Sequence, residues 1–145
     1  MESLDRKYEN FKKCYEALGK SINTQNELEA ISLSNPSVQN LFDTVNAGVI
    51  KHFELAYETG WKFLKEYLLI IYNREILSPK AVFRACEELQ LFPQNILNEL
   101  ITLADARNET THIYSKILAQ EVCNSITKHY EVFGKILETV KMPLV

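Results

Sequence analysis

The chain has 145 residues, 46% of them hydrophobic, which suits one domain able to bury a core without disulfides or a structural metal, so residues 1–145 are read as a single unit. Sixteen Lys and Arg against nineteen Asp and Glu leave a formal net charge of -3. That balance excludes a broad positive field for non-specific attraction to nucleic acid, and no DNA partner is expected.

The three cysteines, Cys14, Cys86 and Cys123, stand far apart and form neither a CxxC nor a Cys/His ligand spacing. They read as reduced, part-buried thiols, with no metal site and no cofactor called for. The first residues are already charged and contain no apolar signal core. The longest apolar cluster, Tyr67-Leu68-Leu69-Ile70-Ile71-Tyr72, is far short of the ~20 residues of a membrane span. A cytoplasmic protein with no membrane partner is the expectation.

In chain order, Leu4, Tyr8, Phe11, Tyr15, Leu18 and Ile22 recur at steps of four and three, the stripe of an amphipathic helix. That helix can continue through Leu28 and Ile31 to the turn residues Ser34-Asn35-Pro36-Ser37, where the proline biases its predecessor away from helix. A second stretch from Val38 keeps Leu41, Phe42, Val45, Val49, Phe53, Ala56, Tyr57, Gly60, Leu64, Tyr67, Leu68 and Ile71 on a helical face. At roughly 50 Å this helix is long for a small domain, which suggests a kink at Gly48 or Gly60, or an overhang onto a second chain. Ser78-Pro79 has the form of an N-cap followed by a first-turn proline, opening a short third helix with Val82, Phe83, Cys86 and Leu89. After Phe92-Pro93-Gln94, a fourth helix carries Ile96, Leu97, Leu100, Ile101, Leu103 and Ala104 and ends near Arg107 or Asn108. Leu118, Val122, Ile126, Tyr130, Phe133, Leu137 and Val140 mark a fifth. The fold class predicted is all-α, an antiparallel helical bundle of four to five helices.

Chemistry concentrates in Arg107-Asn108-Glu109-Thr110-Thr111-His112-Ile113-Tyr114. Arginine offers a permanent planar donor fork suited to phosphate, histidine exchanges a proton near neutral pH, and a tyrosine hydroxyl donates, accepts or attacks. Such a set could hold a nucleotide or cleave a phosphodiester. A plainer account stands beside it: arginine complements the dipole at a helix C-terminus, and Asn or Thr beyond it satisfies loose carbonyls.

Other polar residues have ordinary readings. His52 and His129 have no His or Cys at helical ligand spacing and read as surface or interhelical side chains. Glu54 and Glu58 form an i,i+4 acidic pair that could chelate a cation, but solvation or pairing with Lys51 and Lys62 is the better account. Trp61, with Phe53, Tyr57, Phe63 and Tyr67, reads as core or dimer seam rather than a base-stacking platform.

The pattern Arg-Asn-x-x-x-His-x-Tyr, falling at Arg107, Asn108, His112 and Tyr114, resembles the signature of HEPN domains. The stretch His52 to Leu68 and the segment Ala81-Val82-Phe83-Arg84-Ala85-Cys86 extend the resemblance over most of the chain, to the nucleotidyltransferase substrate-binding, or HepT-like, proteins. The resemblance implies a homodimeric bundle acting as the substrate- or nucleotide-binding subunit of a two-component system, beside a minimal nucleotidyltransferase encoded nearby. No Gly-rich phosphate loop occurs in this chain, so it is not expected to transfer nucleotides alone. Related pairs imply an alternative, a metal-independent endoribonuclease toxin restrained by the transferase. Arg107 and His112 would then be catalytic, RNA the ligand, and Tyr114 the acceptor of AMP. A helical dimerisation or scaffold protein is the third class.

Overall fold

A computed structural model describes residues 2–32, 36–113 and 115–140; Ser34, Asn35 and Tyr114, singled out above, lie outside the described residues. Among these, five α-helices follow one another: α1 Glu2–Ser32, α2 Phe42–Tyr72, α3 Pro79–Glu88, α4 Gln94–Glu109 and α5 Lys116–Thr139. Short 3-10 turns cover Pro36–Leu41 and Thr110–His112. No strand occurs among the described residues, and the all-α bundle stands. The second helix starts at Phe42 rather than Val38, because the chain first takes the tighter turn that begins with Pro36. It then runs as one α-helix through both Gly48 and Gly60.

Side-chain partners give the directions of the helices. Lys7 meets Glu66, Phe11 meets Phe63, Ser21 meets His52 and Gln25 meets Asn46, so α1 and α2 are antiparallel. Asn46 reaches Gln120 while Phe53 packs on Phe133, so α2 and α5 run parallel. α4 returns against α2, with Ala104 and Tyr57 lining one cleft and Arg107 pairing with Glu54. The result is an up-down-up-down bundle of α1, α2, α4 and α5, with α3 as a short connecting helix.

Each α3 boundary follows from its residues. Ser78 is extended and its Oγ accepts from the Ala81 N–H at 3.4 Å, with Pro79 in the first turn; this is the cap the sequence predicts. At the other end Gln90 takes a left-handed conformation (φ 51°) and the Leu91 N–H closes on the Cys86 carbonyl at 3.1 Å. α2 stops the same way at Asn73 (φ 54°), a residue that tolerates this region.

Aromatic residues fill the centre. Phe11, Phe53, Phe63 and Phe133 are fully buried and touch at ring separations of 5.7 to 6.2 Å. The expected stripe residues Leu4, Phe11, Leu18, Phe53, Leu64, Leu100 and Ile126 are all in this core. Gly60 lets α1 come close, since a Cβ there would lie 2.9 Å from Phe11 Cε1. It is a packing residue within an uninterrupted helix. Between α1 and α5 the rings of Tyr15 and Tyr130 stack at 4.4 Å and 4°. Each phenol lies over a glycine of the opposite helix: a Cβ at Gly19 would meet Tyr130 Oη at 2.5 Å, and one at Gly134 would meet Tyr15 Oη at 2.7 Å.

Cys86 and Cys123 are buried thiols, pushed up to about 12 and about 11 by burial, and Cys14 is half-buried. Among the described residues no helix is long and apolar enough to cross a membrane.

Candidate functional site at the end of α4

Arg107 sits in the last turn of α4, where its charge opposes the negative end of the helix dipole. It does more than cap. Its Nη1 donates to Glu54 Oε2 at 2.9 Å and to Thr110 Oγ1 at 2.8 Å, and the Thr110 hydroxyl in turn donates to the Arg107 carbonyl at 2.7 Å. Both charged side chains are about one-quarter exposed. The Nε of Arg107 is buried without a hydrogen-bond partner, an uncommon condition for a guanidinium donor.

Glu54 presents its carboxylate beside the buried stripe of α2, and this is the residue that sequence reasoning misses. Spacing along the helix offers lysines to the Glu54 and Glu58 pair; Lys62 does lie 3.9 Å from Glu58, which also accepts from Trp61 Nε1 at 3.2 Å, but Glu54 turns to Arg107 of α4. The available signal is its position next to Phe53 and one turn before Tyr57, on the flank of the buried face, where a carboxylate needs a close cation. Tyr57 is itself buried and its hydroxyl is pushed up to about 12, chiefly by burial and then by Glu58, with Arg107 pulling the other way.

The remaining motif residues spread over the same end of the bundle. Asn108 is exposed and joins Tyr57, Ser78, Lys80 and Ala104 around a cleft of about 310 Å³. Thr110 and Ile113 line a second cleft, of about 470 Å³, with Asp43, Asn46, Ile50 and Ser115. His112 is exposed on the 3-10 turn that ends there. Ser115 then caps α5, accepting from the Leu118 N–H at 3.1 Å. The structure thus joins Arg107 to Glu54 and Thr110, and carries Asn108 at the end of α4 and His112 on the 3-10 turn that follows.

The other two histidines differ from each other. His52 is half-buried and shares a hydrogen bond between its Nδ1 and Ser21 Oγ. His129 is buried against the Phe53 ring at 5.6 Å, its Nδ1 has no partner, and burial lowers its pKa. Both are interhelical, as their positions suggest. Among the described residues no group of His, Cys, Asp and Glu side chains is arranged to hold a metal ion.

The arrangement can do one thing well: present an anchored guanidinium, with donors to spare, beside two clefts. A phosphate or carboxylate ligand would compete with Glu54 for the same fork.

Known proteins share this architecture. The crystal structure of ttk003001694 from Thermus thermophilus is similar, with a TM-score of 0.63 and 25% identity over 83% of this chain and 96% of that one. No curated protein matches the sequence. The model of the family described as nucleotidyltransferase substrate binding protein like matches residues 6–142, nearly the whole chain, and the protein belongs to that family.

Proposed function

We propose that this chain is the substrate-binding subunit of a two-component nucleotidyltransferase, holding a nucleotide or other phosphorylated substrate at Arg107 for a separate minimal transferase chain. The observation that carries the reading is the state of Arg107: anchored by Glu54 and Thr110, partly exposed, with a buried Nε lacking an acceptor. Family membership supports the role. Asn108 and His112 supply further polar groups at the rim, and Tyr114 follows them in the chain. The setting proposed is cytoplasmic.

The test is calorimetric titration of the purified chain with ATP, with and without the transferase encoded beside it. Binding that is lost in Arg107→Ala, together with a stable complex of the two chains, is the expected result. Equal binding by the wild type and Arg107→Ala would end the proposal.

A second reading takes the exposure of His112 on its turn as the specific observation in its favour. His112 would act as general acid or base on a ribose 2′-hydroxyl or leaving oxygen, and Arg107 would stabilise charge growing on the phosphate. One motif carries one histidine, so this ribonuclease would pair two motifs in a homodimer. The exposed Leu69, Ile70, Ile71, Tyr72 and Leu77 support a second copy as the cover of that face. In such a toxin-antitoxin pair the transferase would silence the chain by transferring AMP from ATP to the Tyr114 hydroxyl, which gives up its proton as pyrophosphate leaves. Growth arrest on expression alone, abolished by His112→Ala, and a mass increase of one AMP unit lost in Tyr114→Phe would favour this reading over the first; healthy growth with intact RNA would remove it.

A further inference from the structure

Three of the four glycines are explained by what lies over them. Gly19, Gly60 and Gly134 each face an aromatic side chain at a distance that admits no Cβ. Gly48 is different: a Cβ built there meets nothing within 4 Å. It is a half-buried residue in the interior of α2, where glycine weakens a helix relative to alanine, and neither the packing nor a left-handed backbone requires it.

What lies over Gly48 is a cleft of about 370 Å³ between α1 and α2, its wall mostly apolar and including Ala17 and Val45, with Lys20, Ser21, Thr24, Thr44 and His52 as the polar side chains around it. It opens on the α1 side of α2, whereas Arg107 reaches α2 from α4. Among the lining residues there is no carboxylate, although the chain as a whole is acidic. Lys20 is exposed and makes no ion pair among the described residues. The part-buried bond between Ser21 and His52 leaves a donor in either arrangement. If the hydroxyl donates to Nδ1, a neutral imidazole carries its hydrogen on Nε2; if Nδ1–H donates, the serine hydroxyl hydrogen is unused. A cation, that donor and the Thr44 hydroxyl surround a strip of helix backbone kept bare by glycine.

We propose that this cleft binds the phosphoryl group of a small phosphorylated metabolite, close over Gly48, at a site separate from Arg107. The missing Cβ lets the ligand approach the helix, Lys20 supplies the charge, and the Ser21–His52 pair and Thr44 fix its orientation. The volume suits a phosphoryl group with a pentose-sized remainder rather than a polymer.

The test is amide chemical-shift mapping of the isotopically labelled full chain titrated with inorganic phosphate, ribose 5-phosphate and ribose. Both phosphates are expected to shift Ser21, Thr44 and Gly48, and ribose to leave them in place. Lys20→Ala should weaken the binding about tenfold, the loss of one charge-assisted contact. Gly48→Leu should fill the cleft, keep the fold and abolish binding. Gly48→Ala should raise the melting temperature by a few degrees while weakening binding. Absence of any shift in the wild type, shifts centred on Arg107 alone, or undiminished binding by Gly48→Leu would overturn the proposal. So would a change of oligomeric state in Gly48→Leu with phosphate binding intact, which would make Gly48 a contact for a crossing helix.

Discussion

The seam between α1 and α5 and the end of the bundle around Asn46 and Arg107 are built on opposite principles. In the seam, the half-buried Tyr15 and Tyr130 stack on each other and each covers a glycine, so the contact is made of rings fitted to bare backbone. At the other end a chain of amides runs from the buried Gln25 and Asn46 out to the surface at Asn124. Gln25 Nε2 donates to Asn46 Oδ1 at 2.8 Å, Asn46 Nδ2 to Gln120 Oε1 at 3.2 Å, and Gln120 Nε2 to Asn124 Oδ1 at 2.9 Å. Cys123 adds a weak bond from Sγ to the Asn46 carbonyl at 3.6 Å. An aromatic seam holds by shape and tolerates no added atom; an amide chain holds by pairing and keeps polar groups beside the 470 Å³ cleft. Under the proposed function, tight packing and ligand contact fall to different parts of one bundle.

The largest effect expected from breaking this contrast is at its aromatic extreme. Phe11→Ala removes a ring that touches Phe63, Phe133 and Gly60 and should cost about 3–5 kcal/mol in urea unfolding; a loss below about 1 kcal/mol would mean that the centre collapses to fill the space. Asn46→Leu should cost less, about 1–3 kcal/mol, because it strands Gln25 and Gln120 without their shared partner. If it stabilises the protein, the amide chain is not a structural device at all. Glu54→Gln should change stability by under about 1 kcal/mol, since its ion pair is partly hydrated, yet tighten ATP binding at Arg107 by removing the competing charge. Weaker binding in that variant would show that Glu54 orients the guanidinium instead.

The smallest effect concerns pH. Burial lowers the pKa of His129, with Glu99 of α4 partly opposing it and Lys128 adding to it, while the α2 face offers only the Phe53 ring. The unfolded chain then binds a proton that the folded chain does not, so stability is full above the ordinary histidine range and declines as pH falls through it. Melting temperature followed from pH 8 to pH 5 should drop more in the wild type than in His129→Phe. Parallel curves would assign the slope to other groups.

Much of the fold is legible in the sequence because it depends on local periodicity. The stripes of α1, α2 and α5 name their buried residues, and Ser78-Pro79 names a helix start. The stretch from Val38 is harder, since a 3-10 turn and the first turn of a helix place apolar residues on the same side. Gly60 reads as a weak point because glycine in a helix is costly, and only the position of Phe11 on another helix explains it. The Arg107–Glu54 pair is invisible for the same reason. Spacing along one helix suggests a lysine for each of Glu54 and Glu58, which holds for Glu58, but the partner of Glu54 is an arginine of α4 that only tertiary packing brings there.

The tyrosine seam also bears on the order in which the chain assembles. α1 and α2 are joined by a short connection and can pair as soon as both exist, whereas Tyr15 must wait for Tyr130 at the far end of the sequence. Contacts that close so long a loop are entropically late. The stacked rings are therefore expected to form late, and their loss to quicken unfolding more than it slows folding.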